Sequence, residues 1–180
     1  MSAPHTTNPS LRNKVNFRKG WPNHSIVEDV RHPIAEFVAE AGMIVRRSGA
    51  LWAPGVNTLH EEAFILRNDG LSPDAARGEH VSGYKQVPFG GLQGISLQNP
   101  LEIELVHFVE ADAPAVGDLF HSPVAGDHRG KLRVCQRANG TVVVNEVAAL
   151  LYCVAPKFFI SDTPYIVVAP VAQRIMTPPA

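Results

Sequence analysis

Two histidines stand close together in the segment GDLFHSPVAGDHRGKL, residues 117–132, and each has a carboxylate nearby. His121 follows Asp118 by three positions, and His128 follows Asp127 directly. Imidazole and carboxylate groups are common zinc ligands, and they also serve as general acids and bases. A metal site requires both imidazoles to converge on one ion. The local structure of the segment therefore decides whether it is a metal or acid/base site, or a polar turn between two strands.

The residues between the two histidines favour a turn over a metal site. They include proline and glycine, and Gly-Asp-His-Arg-Gly is typical of a loop tip in which Asp127 bonds its own backbone and Gly130 takes a positive φ. We therefore predict a β-hairpin, with one strand starting at residues 117–118, a turn over 123–130 and a return strand from Lys131. A metal site at the two histidines is the alternative.

No other group completes a catalytic motif. His60 begins half of the HExxH metalloprotease pattern, but the position of the second histidine is occupied by Phe64. His107 ends an apolar strand face, which predicts a place at the edge of the core. Cys135 and Cys153 lie in apolar runs without zinc spacing, so we predict buried free thiols. The sequence thus predicts a protein without catalytic residues, metal or cofactor, and not an enzyme.

The composition is that of a globular chain with few charges. The 180 residues are 45% hydrophobic and 18% charged, and the formal net charge is −1. This length suits one domain, and the balanced charge offers no electrostatic footprint for direct binding to nucleic acid. Neither a transmembrane run nor a signal peptide is evident, so we expect a soluble protein made in the cytosol without membrane contact. The low charge also suggests that a partner covers part of the surface.

Short apolar runs between breaks rich in glycine, proline and asparagine predict an all-β fold. Their regular spacing is typical of a small β-sandwich or barrel of short, mostly antiparallel strands. The pair Asn139-Gly140 is a hairpin signal, and the glycines of FGGLQG, residues 89–94, indicate a close-packed bend or bulge. The predicted strands span residues 43–48, 62–68, 80–87, 101–108, 118–122, 131–136, 141–150, 151–155 and 165–170.

One segment is left open between helix and strand. In PIAEFVAEAG, residues 33–42, apolar side chains recur at helical spacing. Pro33 stands where a first helical residue would lie, and Gly42 stands where a C-terminal cap would lie. The predicted fold therefore contains at most one short helix.

The N-terminal segment differs from the rest of the chain. Residues 1–33 contain four prolines and only scattered apolar anchors, so they cannot fold alone. We predict an extended arm that orders against the body or against a neighbouring subunit. A single β-domain over residues 34–172 follows, and residues 173–180 form a tail.

Aromatic residues in and near the arm are the predicted interface anchors. Phe17 and Trp21 lie within the arm, and Trp52 follows in the β-domain. Aromatic side chains are enriched at the centres of protein interfaces, which is the reason for this prediction. For Trp52 a place in the core is an equal alternative.

The order of several segments resembles a known protein family. A strand opening on Ala-Gly-Met precedes a strand that ends in an Asn-Asp turn. A Gly-Asp-Leu step then begins a hairpin whose return strand starts Gly-Lys-Leu, and a Val-rich strand follows. This pattern is similar to that of the small capsid decoration, or cement, proteins of tailed bacteriophages. It is carried, within residues 39–154, by AEAGMIVRRSGALWAPG, EEAFILRNDGLSPD, VSGYKQVPFGGLQGISLQNPLEIELVHF, AVGDLFHSP, GKLRV and VVVNEVAALLY.

The resemblance implies a β-sandwich or barrel that binds the outer surface of an icosahedral phage capsid and bridges neighbouring capsomers. The expected location is the virion surface, after synthesis in the host cytoplasm. The expected partners are the major capsid protein and further copies of this chain, as a dimer or trimer. The resemblance implies no enzymatic activity and transfers no catalytic residue.

Two alternatives remain open. The eight histidines together with Glu102 and Glu104 would suit a cupin-like, metal-dependent β-barrel enzyme or small-ligand binder, although the close pair of histidines on one strand that cupins use is not present. A tail or head-completion protein of a virion, built on a similar small β-domain, is the other alternative.

Overall fold

A computed structural model of the chain describes residues 14–19, 28–34, 37–57, 61–67, 91–97, 102–160 and 162–175. The described residues are all-β, with one 3₁₀ turn, Glu110–Asp112, and no longer helix among them. None of the described helical segments is long and apolar enough to cross a membrane. The strands are β1 (Val15–Lys19), β2 (Glu28–Pro33), β3 (Ile44–Ser48), β4 (Leu51–Pro54), β5 (Ala63–Leu66), β6 (Leu92–Ser96), β7 (Glu102–Leu105), β8 (Leu119–His121), β9 (Arg133–Gln136), β10 (Ala148–Ile160) and β11 (Thr163–Ile175).

The strands form two sheets. One is a closed five-stranded barrel with the order β2-β4-β3-β5-β6, and the other is a six-stranded sheet with the order β1-β7-β11-β10-β8-β9. Only the β2–β4 pairing is parallel among the paired strands of the two sheets described. The prediction of a small, mostly antiparallel β-fold is therefore confirmed, and it takes the form of a barrel joined to a sheet.

Alternation along the barrel strands separates two cores. Phe64 and Leu66 of β5 pack with Trp52 of β4 in a cluster drawn from several barrel strands, which fills the interior of the barrel. The intervening Ala63 and Ile65 face the other way and join the core shared with the six-stranded sheet. The period of two in side-chain direction thus supplies both an interior and an outer packing face from the same short strands.

A glycine makes room for the largest side chain of the barrel. A Cβ at Gly94 of β6 would lie 2.5 Å from Cζ2 of Trp52, which is closer than carbon atoms can approach. The indole N–H of Trp52 donates to the carbonyl of Leu92 at 2.8 Å, so the buried polar group is satisfied. The close packing predicted for the glycines of residues 89–94 is confirmed at Gly94. It occurs within a strand, however, and this strand was not predicted.

The hairpin predicted over residues 117–132 is present, but its first strand begins at Leu119 rather than at residues 117–118. β8 and β9 are antiparallel, with His121 opposite Arg133 and Phe120 opposite Val134. Gly130 has a φ of +77°, as predicted. The return strand begins at Arg133 rather than at Lys131, because Leu132 instead forms a parallel bridge to Phe108.

The segment predicted as an arm contributes a strand to each sheet. β1 lies at one edge of the six-stranded sheet, where Val15 is opposite Leu105 of β7. β2 pairs with both β4 and β6 and thereby closes the barrel. Residues 1–13 and 20–27 lie outside the described residues, as do the last residues of the predicted tail, 176–180.

Several predicted elements need correction. The strands predicted over 141–150 and 151–155 are one strand, β10, and residues 143–147 before it are not strand. The helical alternative for residues 33–42 is wrong for the described part, because residues 37–41 are extended or irregular and Ala39 forms an isolated bridge. The strand predicted over 80–87 lies outside the described residues.

Candidate functional site: the β10–β11 ribbon

β10 and β11 form a hairpin that runs past the rest of its sheet. β8 pairs with β10 at Leu151 and Tyr152, and β7 pairs with β11 from Ile166 to Val168. Beyond those pairings, Ala155 is opposite Val167, and the ends of the two strands, residues 156–160 and 163–165, pair only with each other among the described residues. We call residues 156–160 and 163–165 the ribbon. At about 3.3 Å per residue, the five residues of β10 span roughly 16 Å.

The ribbon carries exposed apolar surface. Phe159 is 61% exposed, the largest exposed fraction among the large hydrophobic side chains of the described residues. Phe158 is partly buried and stacks on the buried ring of Tyr165, with centroids 6.0 Å apart. Burial of such a ring against another molecule would be favourable, so Phe159 is the candidate contact residue of the ribbon.

A charged contact ties the ribbon to the body. The ammonium group of Lys157 lies 3.1 Å from the carboxylate of Glu110 in the 3₁₀ turn. The same Nζ lies 5.3 Å from the ring centroid of Phe159. Lys157 therefore helps to set the orientation of the ribbon relative to the sheet. Both members of the ion pair are too exposed for a large stabilisation.

The turn at the ribbon's end is short. Ile160 is opposite Thr163, so two residues connect the strands, and Asp162 adopts the left-handed conformation with a φ of 65°. The sequence signal for the ribbon was present in KFFISDTPY, where apolar runs flank a Ser-Asp pair. The strand predicted over residues 151–155 is therefore too short, since β10 continues through Pro156 and Lys157 to Ile160.

The two histidines of residues 117–132 have structural positions in the β8–β9 hairpin. His121 is a strand residue and is 6% exposed, and His128 lies in the loop that joins β8 to β9. This loop packs on the barrel, because Gly130 accepts a hydrogen bond from the amide of Ile44 and Ser122 accepts one from the amide of Val56. Within the described residues, no three histidine, cysteine or acidic side chains are grouped so that they could hold a metal ion.

Burial dominates the electrostatics of His121. It lowers the pKa of the imidazole to about 4, and the positive charge of Arg133 contributes in the same direction, while Asp112 opposes both. Asp112 in turn binds Arg133 through both oxygens, at 3.0 and 3.2 Å. His121 is therefore neutral at pH 7, where it is a packing residue beside an ion pair.

A second carboxylate, that of Asp118, links the loops before β8 and after β9 through hydrogen bonds. Asp118 is 1% exposed, and its oxygens accept hydrogen bonds from the amides of Ala115 and Ala138. The guanidinium of Arg137 completes the set at 2.8 Å from Asp118 and also donates to the carbonyl of Asp112. Asp118, which the sequence placed beside a possible metal site, thus holds two loops together.

The third polar cluster lies where β1 meets the rest of the fold. The carboxylate of Glu40 is 2.7 Å from Nζ of Lys14 and 3.4 Å from Nε2 of His107. Burial would raise the pKa of Glu40, but the hydrogen bond from Lys14 and the positive charges nearby, including Lys131, outweigh burial and lower it. His107 is 8% exposed, so its predicted place at the edge of the core is confirmed.

The cysteines are buried and free, as predicted. The thiol of Cys135 donates to the carbonyl of Leu119 at 3.3 Å. Burial, together with the charge of Asp118, raises the pKa of Cys153 to about 11. A thiol with such a pKa is almost entirely protonated at neutral pH and is a poor nucleophile.

The three residues predicted as interface anchors lie in different settings. Trp52 is fully buried in the barrel, which is the core alternative that the sequence left open. The backbone of Phe17 lies in β1 opposite Ile103, and its side chain lies outside what the structure describes. Trp21 lies outside the described residues altogether.

Comparison of the chain with protein-family models, with curated proteins and with solved structures found no match. The functional interpretation therefore depends on the geometry of the chain itself and on the pattern of its sequence.

Proposed function

We propose that this protein is a non-enzymatic structural component of a virion, which binds the outer surface of an icosahedral phage capsid and bridges neighbouring capsomers. The observation that carries the proposal is the ribbon, which presents the exposed ring of Phe159 beyond the edge of its sheet. The order of sequence segments that resembles tailed-phage decoration proteins supplies the type of partner. The major capsid protein is the proposed partner, and copies of the chain associate as a dimer or trimer.

The architecture suits a bridging role. The barrel packs on the sheet through one shared apolar core, so the body is a rigid support from which the ribbon extends. A ribbon of roughly 16 Å reaches a neighbouring subunit while the body occupies another. Each contact is modest in area, but a shell presents many equivalent sites, so many small contacts add up to a stiffer shell.

The first experiment locates the chain. Purified particles from the virus that encodes it are analysed by mass spectrometry and by cryo-electron microscopy. We expect a fixed number of copies on the outside of the shell, and we expect particles that lack the chain to rupture at lower temperature and in milder osmotic shock. If the chain is missing from mature particles, or lies in the tail or at the head–tail junction, the proposal is wrong.

The second experiment tests the ribbon. Phe159→Ser removes an apolar ring that is 61% exposed, and the matched control is Val30→Ser, on the barrel strand β2, which removes an apolar side chain that is 60% exposed. We expect Phe159→Ser to weaken binding to particles stripped of the protein by about tenfold or more, equivalent to about 1.4 kcal/mol. Val30→Ser should bind like the wild type. Equal binding by all three proteins would exclude the ribbon as the contact.

A further inference from the structure

The chain contains a single asparagine that is followed by glycine, Asn139, and the structure places it at an exposed turn. The amide of Gly140 donates to the carbonyl of Arg137 at 2.9 Å, and the amide of Arg137 donates to the carbonyl of Thr141 at 2.8 Å. Gly140 takes a φ of +91°. This is a tight turn whose two central residues both face water.

We propose that Asn139 is a site of spontaneous deamidation, through a cyclic imide formed with the backbone of Gly140. The amide nitrogen of Gly140 loses its proton and attacks Cγ of Asn139. A bond from this nitrogen to Cγ forms, the bond from Cγ to Nδ2 breaks, and the NH₂ group takes up one proton and leaves as ammonia. One water molecule from solvent then opens the ring at either carbonyl. The products are aspartate and isoaspartate at position 139, and no oxidant, metal or second protein is needed.

Three features of the turn favour this reaction. Gly140 has no side chain to shield its nitrogen, and apart from its two chain neighbours no atom lies within 4 Å of the position that a Cβ would occupy. The side-chain oxygen of Asn139 accepts a hydrogen bond from the amide of Thr141 at 3.0 Å, which draws electron density away from Cγ. Both residues are exposed, so water and hydroxide reach the ring.

The position gives the reaction a structural consequence. Isoaspartate adds one methylene to the backbone, within a turn that is closed by the bridge between Gln136 and Val142. The neighbouring amide of Ala138 donates to the buried carboxylate of Asp118. A longer backbone pulls on both contacts, and it loosens the valines after the turn that pack on Leu119, Cys135 and Ala149.

Asn145 is an internal control, because it is also exposed and lies in the same connection, but it precedes Glu146. The folded protein is incubated at mildly alkaline pH, and each asparagine peptide is followed by mass spectrometry and by enzymatic methylation of isoaspartate. We expect Asn139 to react about tenfold faster than Asn145 or more, as a barrier lower by about 1.4 kcal/mol produces. Equal rates at the two positions would overturn the proposal.

A parallel incubation in denaturant removes the turn. If Asn139 reacts only when the chain is unfolded, the hydrogen bond of the Gly140 amide protects the native turn and the proposal is wrong. The variant Asn139→Gln supplies the structural control, because its longer side chain closes the ring far more slowly. We expect aged wild-type protein to melt at a lower temperature than fresh protein, while aged Asn139→Gln melts like the fresh variant. Unchanged melting of fully modified wild type would overturn the structural consequence.

Discussion

The barrel and the six-stranded sheet use polar residues in opposite ways. On the barrel strand face that carries Trp52, partly exposed charged side chains pair with each other. The carboxylate of Asp29 lies 2.6 Å from Arg31 and 2.8 Å from Arg47, and Arg47 also binds Glu62 at 2.8 Å. Burial alone would raise the pKa of Asp29, but the two arginines lower it. The network covers the aromatic interior of the barrel.

The arginines also contact that interior directly. The guanidinium of Arg47 lies 4.6 Å from the ring centroid of Phe64, and that of Arg31 lies 5.7 Å from Trp52. Stacking of guanidinium groups on aromatic rings is favourable, and it excludes water from the ring faces. Two arginines of the barrel strands thus pack on its aromatic side chains.

In the six-stranded sheet, buried polar groups fasten loops, and apolar groups remain outside. Asp118 and Asp112 hold the segments around the 3₁₀ turn against β9. Tyr152 of β10 and Phe159 of the ribbon, by contrast, are 39% and 61% exposed. The barrel strands expose apolar side chains as well, Val30 at 60% and Leu51 at 38%, but both are aliphatic. Exposed aromatic rings among these side chains lie on β10 of the sheet.

The largest expected effect tests the barrel side of this comparison. Trp52→Ala removes a fully buried indole and its hydrogen bond to Leu92, so the free energy of unfolding should fall by about 3–5 kcal/mol. Leu51→Ala, at a neighbouring position that is 38% exposed, should cost less than about 1 kcal/mol. Urea denaturation measures both. A small loss for Trp52→Ala would show that the barrel interior contributes little stability.

The next effect tests how much the buried carboxylate of Asp118 stabilises the sheet. Asp118→Ala removes the buried acceptor of the amides of Ala115 and Ala138 and of the Arg137 guanidinium, and we expect a loss of about 2–3 kcal/mol. Glu110→Gln breaks the exposed pair with Lys157 and should cost less than about 1 kcal/mol. Denaturation of the two variants side by side distinguishes a buried fastening from a surface ion pair. Similar losses in both would remove that distinction.

The sequence predicted the elements whose local pattern matched their environment. The runs around β3 and β5 are rich in β-branched and aromatic residues and end at clear breaks, so their positions were predicted closely. The turn at residues 137–141 follows from Asn139-Gly140 alone. At each of these places the local signal and the tertiary structure agree.

The missed elements owe their conformation to distant partners. β6 contains Gly94, which locally indicates a break, and it is a strand because it pairs with β2 and β5. The missing side chain at Gly94 leaves room for Trp52. β2 lies in a polar, proline-containing segment, and it is a strand because it completes the barrel between β4 and β6. Residues 141–147 read as a strand, but Glu146 has a φ of 58° and the valines there cover a small cluster on the sheet.

The candidate site was missed for a related reason. His121 and His128 were candidate metal or acid/base residues because imidazole groups can serve in both roles. Burial makes His121 a packing residue instead. The ribbon has no reactive group, and its significance comes from where the neighbouring strands β7 and β8 end. Pairing between distant strands is not visible in a local pattern.

A pH dependence sharpens the role of His121 in the sheet. Its pKa is about 4 in the folded protein and 6.5 ordinarily, so the unfolded state binds more protons between these values. Stability is therefore full above pH 6.5 and falls as the pH decreases towards 4, by roughly 3 kcal/mol in total. The lowered pKa values of Asp29 and Glu40 act in the same direction, but only below their ordinary values of 3.8 and 4.5.

Urea denaturation over this pH range tests the effect in His121→Gln, whose side chain does not titrate. The stability of the variant should depend less on pH between 6.5 and about 4.5, so its difference from wild type should shrink as the solution is acidified. Ser122→Ala changes a buried neighbour without a titratable group, and its curve should run parallel to the wild type. If His121→Gln keeps the wild-type slope, another group is responsible for the acid sensitivity.

The smallest expected effect on stability lies in the ribbon. Phe159 is largely exposed in the folded chain and gains little from folding, so Phe159→Ser should change the free energy of unfolding by no more than about 0.5 kcal/mol. Tyr165, on the opposite ribbon strand, is 1% exposed, and Tyr165→Ser should cost about 3 kcal/mol or more. A large loss for Phe159→Ser would mean that its ring serves the fold rather than a partner. A loss confined to Tyr165→Ser supports a division within the ribbon, in which one aromatic residue anchors it and the other remains available for binding.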